Sequence, residues 1–119
     1  MHRDFDAVRS KYTVERDPIT FQLAGEAFTC LPEPSLGDVF AVYDAPDVDP
    51  DEFSAERADH VRLVRILVRF IRKMVVPEDR DRFEGALLRI PSSHGFVIIE
   101  LGQWIVTQVT NRPTVPSAT

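Results

Sequence analysis

The residue types that do chemistry are few in this chain, and their spacing suits none of the usual reactions. His2, His60 and His94 lie far apart, and none stands at metal-ligand spacing from Cys30 or from another histidine. Ser93-His94 sets a nucleophile type beside a base type, yet the GxSxG elbow that exposes such a serine is absent. Carboxylates are plentiful in DAPDVDPDE (44–52) and PEDRDRFE (77–84), where paired acids would suit proton transfer. Each cluster, however, falls at an expected helix N-terminus, where the backbone dipole favours negative charge, and that role accounts for it. Gly25, Gly37, Gly85, Gly95 and Gly102 never gather into a phosphate-cradling loop. The expectation is no catalytic residue, no cofactor, no metal and no enzymatic activity.

The remaining candidates are cationic. In VRLVRILVRFIRKMVV (61–76), Arg62, Arg65, Arg69 and Arg72 recur at steps of three, four and three, which places them on one ridge of a helix. One reading is an exposed edge whose guanidinium groups pair with Asp59, Glu78 or Glu84, each pair contributing little. The other is an anchor for an acidic or elongated protein partner, since arginine is favoured at interface hot spots. Net charge of −5 and a pI near 5.1 repel nucleic acid and anionic lipid, so neither is an expected partner. The arginines also break the apolar run well below the roughly 20 residues of a membrane span. MHRDFDAVRSKY lacks the apolar core of a signal peptide, and the lone Cys30 suits a reducing compartment, so a cytosolic location is expected.

These residues need elements to hold them. With 119 residues, 44% hydrophobic and 28% charged, the chain fits one domain with a modest core. Residues 1–17 form an N-terminal segment, either a short helix near 5–12 or flexible. Ile19, Phe21 and Leu23 alternate with Thr20 and Gln22, and Phe28 and Cys30 flank Thr29, so 19–31 reads as a β-hairpin turning at Gly25, the expected positive-φ residue. A lone hairpin is marginal in water and must cover helices. Ser35 with Asp38 resembles a capping box for a helix over 36–43. Asp49, Pro50, Asp51 and Glu52 mark the start of a long helix over 50–75, apolar around more than half its circumference and so central to a bundle. Pro77 heads a helix to residue 90. A last helix covers 96–110, although the β-branched run at 97–100 also suits a strand. Residues 111–119 form a mobile tail. The fold expected is α+β and mainly helical: an N-terminal β-hairpin packed on a bundle of three to four helices.

Four segments in order, DFDAVRSKY (4–12), DPITFQLAGEAFTCLPEPS (17–35), VVPEDRDRFEGALL (75–88) and LGQWIVTQVTNRPTVPS (101–117), carry a resemblance that spans nearly the whole chain. The chain resembles the tail assembly chaperones of long-tailed, siphovirus-type bacteriophages and prophages of actinobacterial hosts. The TFxLxGExF hairpin, the VPEDRxRF helix start and the terminal Arg112-Pro113-Thr114 are the motifs concerned. Ala24 stands where a second glycine is common, Cys30 replaces a plain apolar residue, and Asn111 stands where glycine often precedes the Arg-Pro-Thr.

The resemblance implies a non-enzymatic protein that binds the tape measure protein and keeps it soluble while the tail tube polymerises around it. It further implies action in the host cytoplasm, absence from the mature virion, and a longer frameshifted form of which this chain is the short counterpart. Homo-oligomerisation is a further expectation. The alternative from another class is a small regulatory or adaptor protein that uses the arginine ridge on nucleic acid or an acidic partner.

Overall fold

The alternation at 19–23 becomes a strand because it sorts the side chains: Phe21 and Leu23 are buried while Thr20 and Gln22 face solvent. The computed structural model describes residues 1–2, 12–14, 18–110 and 114–116. Its elements, in chain order, are β1 (Tyr12–Val14), β2 (Thr20–Leu23), β3 (Glu26–Thr29), α1 (Leu36–Tyr43), α2 (Ala58–Met74), α3 (Arg80–Leu87), α4 (Gly95–Thr110) and β4 (Thr114–Pro116). The chain is thus an antiparallel hairpin followed by four helices, the α+β, mainly helical arrangement expected. β1 pairs with β4 in an antiparallel ladder, Thr13 opposite Val115, which the sequence pattern does not announce. Most of the short helix expected near 5–12 lies outside the described residues.

β2 and β3 pair antiparallel, with Leu23 opposite Glu26, so the loop is Ala24-Gly25 alone. Both have positive φ, 51° and 82°, as the mirror-image two-residue turns of hairpins require. Gly25 was expected there. Ala24 has a Cβ and takes the same strained region, which a second glycine would occupy freely.

The apolar face of the hairpin covers α3. Phe21 stacks on its cross-strand partner Phe28 at 5.3 Å between ring centroids, and Phe83 meets both rings edge-on at 6.3 and 5.8 Å. Edge-to-face contact sets the positive ring edge against the negative ring face, so the three rings fix the angle of sheet on helix. Backbone bonds also tie the hairpin to the junction after α2. Leu31 N–H donates to the Met74 carbonyl at 2.6 Å, and Val76 N–H to the Thr29 carbonyl at 3.0 Å, about an antiparallel Cys30–Val75 bridge. Val75 and Val76 thus serve as a fragment of a third strand. Pro77, which ends the long helix as expected, makes this possible by forcing extended backbone on the residue before it.

α2 is the central helix, touching α1, α3 and α4. His60, Leu63, Leu67, Phe70, Ile71 and Met74 form its buried stripe. It begins at Ala58, not at Pro50 as the start signal at Asp49 suggested. Pro50–Glu52 is a single 3-10 turn, capped by the Asp49 carboxylate accepting from Asp51 N–H at 2.9 Å. The chain then leaves helical geometry to carry Phe53 toward Gly95, where an added Cβ would stand 2.5 Å from the phenyl ring. That close approach requires glycine at 95 and interrupts the helix. α3 likewise follows a 3-10 turn, Pro77–Asp79, and ends at Leu87. Residues 97–100 are helical, because Ile98 and Ile99 enter the core as part of α4, which packs along α2.

Candidate functional site

All four ridge arginines, Arg62, Arg65, Arg69 and Arg72, are exposed on the edge of α2 opposite Leu67. Pairing with local acids holds for one of them. Arg72 Nε donates to Glu84 Oε1 of α3. Arg62, Arg65 and Arg69 have no hydrogen bond or ion pair among the described residues. The acids expected to serve them are otherwise placed: Asp59 pairs with Arg57 at 3.2 Å, and Glu78 makes no ion pair there. The reason is geometric. Glu78 lies beyond the C-terminal end of α2, too far along the axis to reach a ridge centred on Arg65.

The other cations are structural. Arg80 donates to the Arg72 and Val75 carbonyls at 3.1 and 3.2 Å and to the Lys73 carbonyl at 3.3 Å, supplying donors to the free end of α2. Arg82 lies 4.8 Å above the Phe28 ring, reaches the Ala27 carbonyl at 3.2 Å and pairs with Asp79 at 2.9 Å. The sequence offered Asp79 as a helix-dipole acid. Its carboxylate accepts instead from Thr29 N–H at 3.3 Å, linking α3 to the hairpin. The Arg82 hydrogen bond, outweighing partial burial and joined by Thr29, holds the Asp79 carboxyl below its ordinary range. At Asp38 burial acts upward, but hydrogen bonds with Lys73 and Ser35 and the lysine charge prevail, and its carboxyl is also lowered. Ser35 caps α1 as expected, accepting from Asp38 N–H at 3.2 Å, while the Asp38 side chain turns to Lys73 at 3.0 Å instead of closing a capping box.

The histidines stay apart. His60 is buried, stacked near Phe53, and its Nδ1 accepts from Ser54 N–H at 3.0 Å, so it organises the entry to α2. His94 is exposed beside Phe96. Among the described residues no group of three or more His, Cys, Asp or Glu is placed to hold a metal ion. No helix there is long and apolar enough to cross a membrane.

What the fold does assemble is apolar. On α1, Val42 packs against the core and Val39 is half-buried at a crevice beside it, while Leu36, Phe40 and Tyr43 remain 69%, 56% and 65% exposed. These three are spaced i, i+4, i+7 and form one stripe. At Tyr43 the stripe meets a groove of about 380 Å³ between α1 and α4. Val42, Tyr43 and Val48 form one wall, Gly102 and Val106 the other, and Leu63 and Leu67 of α2 the floor. A narrower crevice, lined in part by Val42, Tyr43 and Val106, continues past Phe70 to Val109.

The sequence shows spacing for a helix at 36–43 but not which part of its apolar arc stays wet. A signal was present: five of eight residues of α1 are large and apolar, more than one face can bury. A second signal is electrostatic. From Pro18 to Glu56 there are nine acids and no lysine or arginine. Asp47 lines the groove, and Asp44 is exposed beside it in the chain, between the lining residues Tyr43 and Ala45; neither forms an ion pair among the described residues.

No family model, no curated protein and no solved structure matches the chain.

Proposed function

We propose that the chain is a non-enzymatic chaperone that covers apolar helical surface on another protein, in the manner of a tail assembly chaperone acting on a tape measure protein. The observation supporting this is the exposed stripe of Leu36, Phe40 and Tyr43, which meets the α1–α4 groove at Tyr43. Single exposed hydrophobics are ordinary, but a contiguous set beside an apolar groove marks a surface that another molecule covers. A long, repetitive helical partner offers many equivalent apolar stripes, and a short helix with a half-covered face can engage them reversibly. In this reading the chain acts in the host cytoplasm, is released before the virion is complete, and is the short product of a frameshifted gene pair whose longer form shares its fold. Self-association and exchange between copies belong to the same reading.

The test is co-expression with the long helical product encoded downstream. Soluble yield of that product rises with the wild-type chain and not with Leu36→Ser/Phe40→Ser/Tyr43→Ser, whose far-UV dichroism stays unchanged. Equal yield with both refutes the assignment. A second reading draws on Arg62, Arg65 and Arg69, which have no ion pair among the described residues: an adaptor binding nucleic acid or an acidic protein. It requires binding that weakens steeply with salt and is lost in Arg65→Glu/Arg69→Glu.

A further inference from the structure

The groove and the crevice beyond it follow α4 from Gly102 to Val109, seven residues or about 10 Å of helix axis. That is the distance between positions i and i+7 of a helix laid alongside, the reach over which an amphipathic helix sets its anchors in an apolar groove. The walls are unevenly charged. The α4 side offers neutral Gln103 and Thr107, whereas the α1 side ends in Asp47, with Asp44 exposed between the lining residues Tyr43 and Ala45; neither carboxylate has a cationic partner among the described residues. Arg57, the next cation along the chain after this acidic stretch, is engaged by Asp59. Asp38, in the first turn of α1, shows the contrast, since Lys73 neutralises it. An apolar trough with one negative lip has a specific complement: a helix whose apolar stripe carries lysine or arginine along one flank.

We infer that the α1–α4 groove takes an amphipathic helix of the partner with basic residues beside its apolar stripe, and that Asp44 and Asp47 select that charge. This rests on the chaperone reading for its partner, but the recognition chemistry belongs to the groove itself. A glutamate-flanked helix of equal hydrophobicity meets the same walls with like charges at the lip, so it loses affinity without losing apolar contact.

The probes are two synthetic 15-residue helical peptides with identical leucine stripes, one flanked by lysine and one by glutamate, titrated calorimetrically into the full chain. At low salt the lysine peptide binds about tenfold more tightly, the combined effect of two partly exposed ion pairs and two avoided repulsions, and the difference shrinks in 0.5 M salt. Asp44→Lys/Asp47→Lys inverts the preference. Gln103→Trp, an exposed position at the groove mouth, weakens both peptides by about tenfold while the fold is retained; Arg65→Glu/Arg69→Glu changes neither. A preference that survives Asp44→Lys/Asp47→Lys, or binding indifferent to Gln103→Trp, overturns the inference. So does a dimer, seen by sedimentation, that excludes both peptides from the groove, because the occupant is then a second copy. Charge-selective peptide binding without solubilisation of the long downstream product refutes the chaperone reading alone, and solubilisation without charge preference refutes the groove inference alone.

Discussion

Gly102→Ala measures how closely α4 is set against α2. Inside an exposed helix the change gains about 1 kcal/mol, because alanine loses less backbone freedom than glycine. At Gly102 the added Cβ would stand 2.8 Å from Leu67 Cδ2, 3.1 Å from Cδ1 and 3.2 Å from Cγ. Leu67 is only 2% exposed, and the branch carbon as well as both methyls lies on the path, so a rotation of one methyl does not relieve the contact. Overpacking of this kind costs about 1–3 kcal/mol. With the helical gain subtracted, the variant is less stable by about 1 kcal/mol, a fall of about 4 °C in Tm for a domain of this size. Leu67→Ala removes the obstructing atoms and costs about 2–5 kcal/mol through the cavity it leaves. In that background Gly102→Ala stabilises by about 1 kcal/mol, so its effect changes sign. Urea unfolding, followed by far-UV dichroism and by the fluorescence of the single tryptophan, Trp104, reads all four corners of the cycle. If Gly102→Ala stabilises the wild type and the Leu67→Ala variant equally, the α2–α4 contact is looser than these distances require.

Ala24→Gly relieves the positive φ of the hairpin turn and raises stability by about 0.5–1 kcal/mol in the same urea assay; a loss shows that the turn carries no strain. The carboxyls of Asp38 and Asp79 titrate below their unfolded values, so their contribution is full above the unfolded pKa and is lost as pH falls through the lowered folded values. Stability therefore declines below about pH 4, and Asp79→Asn, which removes one of these carboxylates, makes that acid limb shallower; an unchanged slope in pH-dependent melting contradicts the link. Arg65→Glu/Arg69→Glu shifts stability by no more than about 0.5 kcal/mol, because neither guanidinium has a partner among the described residues, and a larger loss in thermal melting reveals a contact that the ridge was not credited with.

Elements written in local patterns were legible from the chain alone. Period-two alternation placed the hairpin, Ser35 placed the start of α1, and Pro77 placed the end of the long helix, because each acts on backbone within a few residues of itself. Signals read locally also misled where a distant group competed. The Asp49-Pro50 start produces only one turn, since Phe53 is drawn to Gly95 forty residues away, and Val75-Val76 abandons helix to bond with the hairpin. The ridge arginines were visible at once, but whether acids reach them depends on the placement of α3, which serves Arg72 and leaves the other three.

The apolar surface of α1 is the sharpest case. Composition and spacing determine that Leu36, Val39, Phe40, Val42 and Tyr43 share a broad face, and that its neighbours in sequence are acidic. Only the distance at which α4 settles against α2, set in part by a glycine and a leucine, decides that this face is half covered and that a groove opens beside it. Partition of apolar surface between core and solvent is a property of helix spacing, and helix spacing arises from contacts between residues remote along the chain.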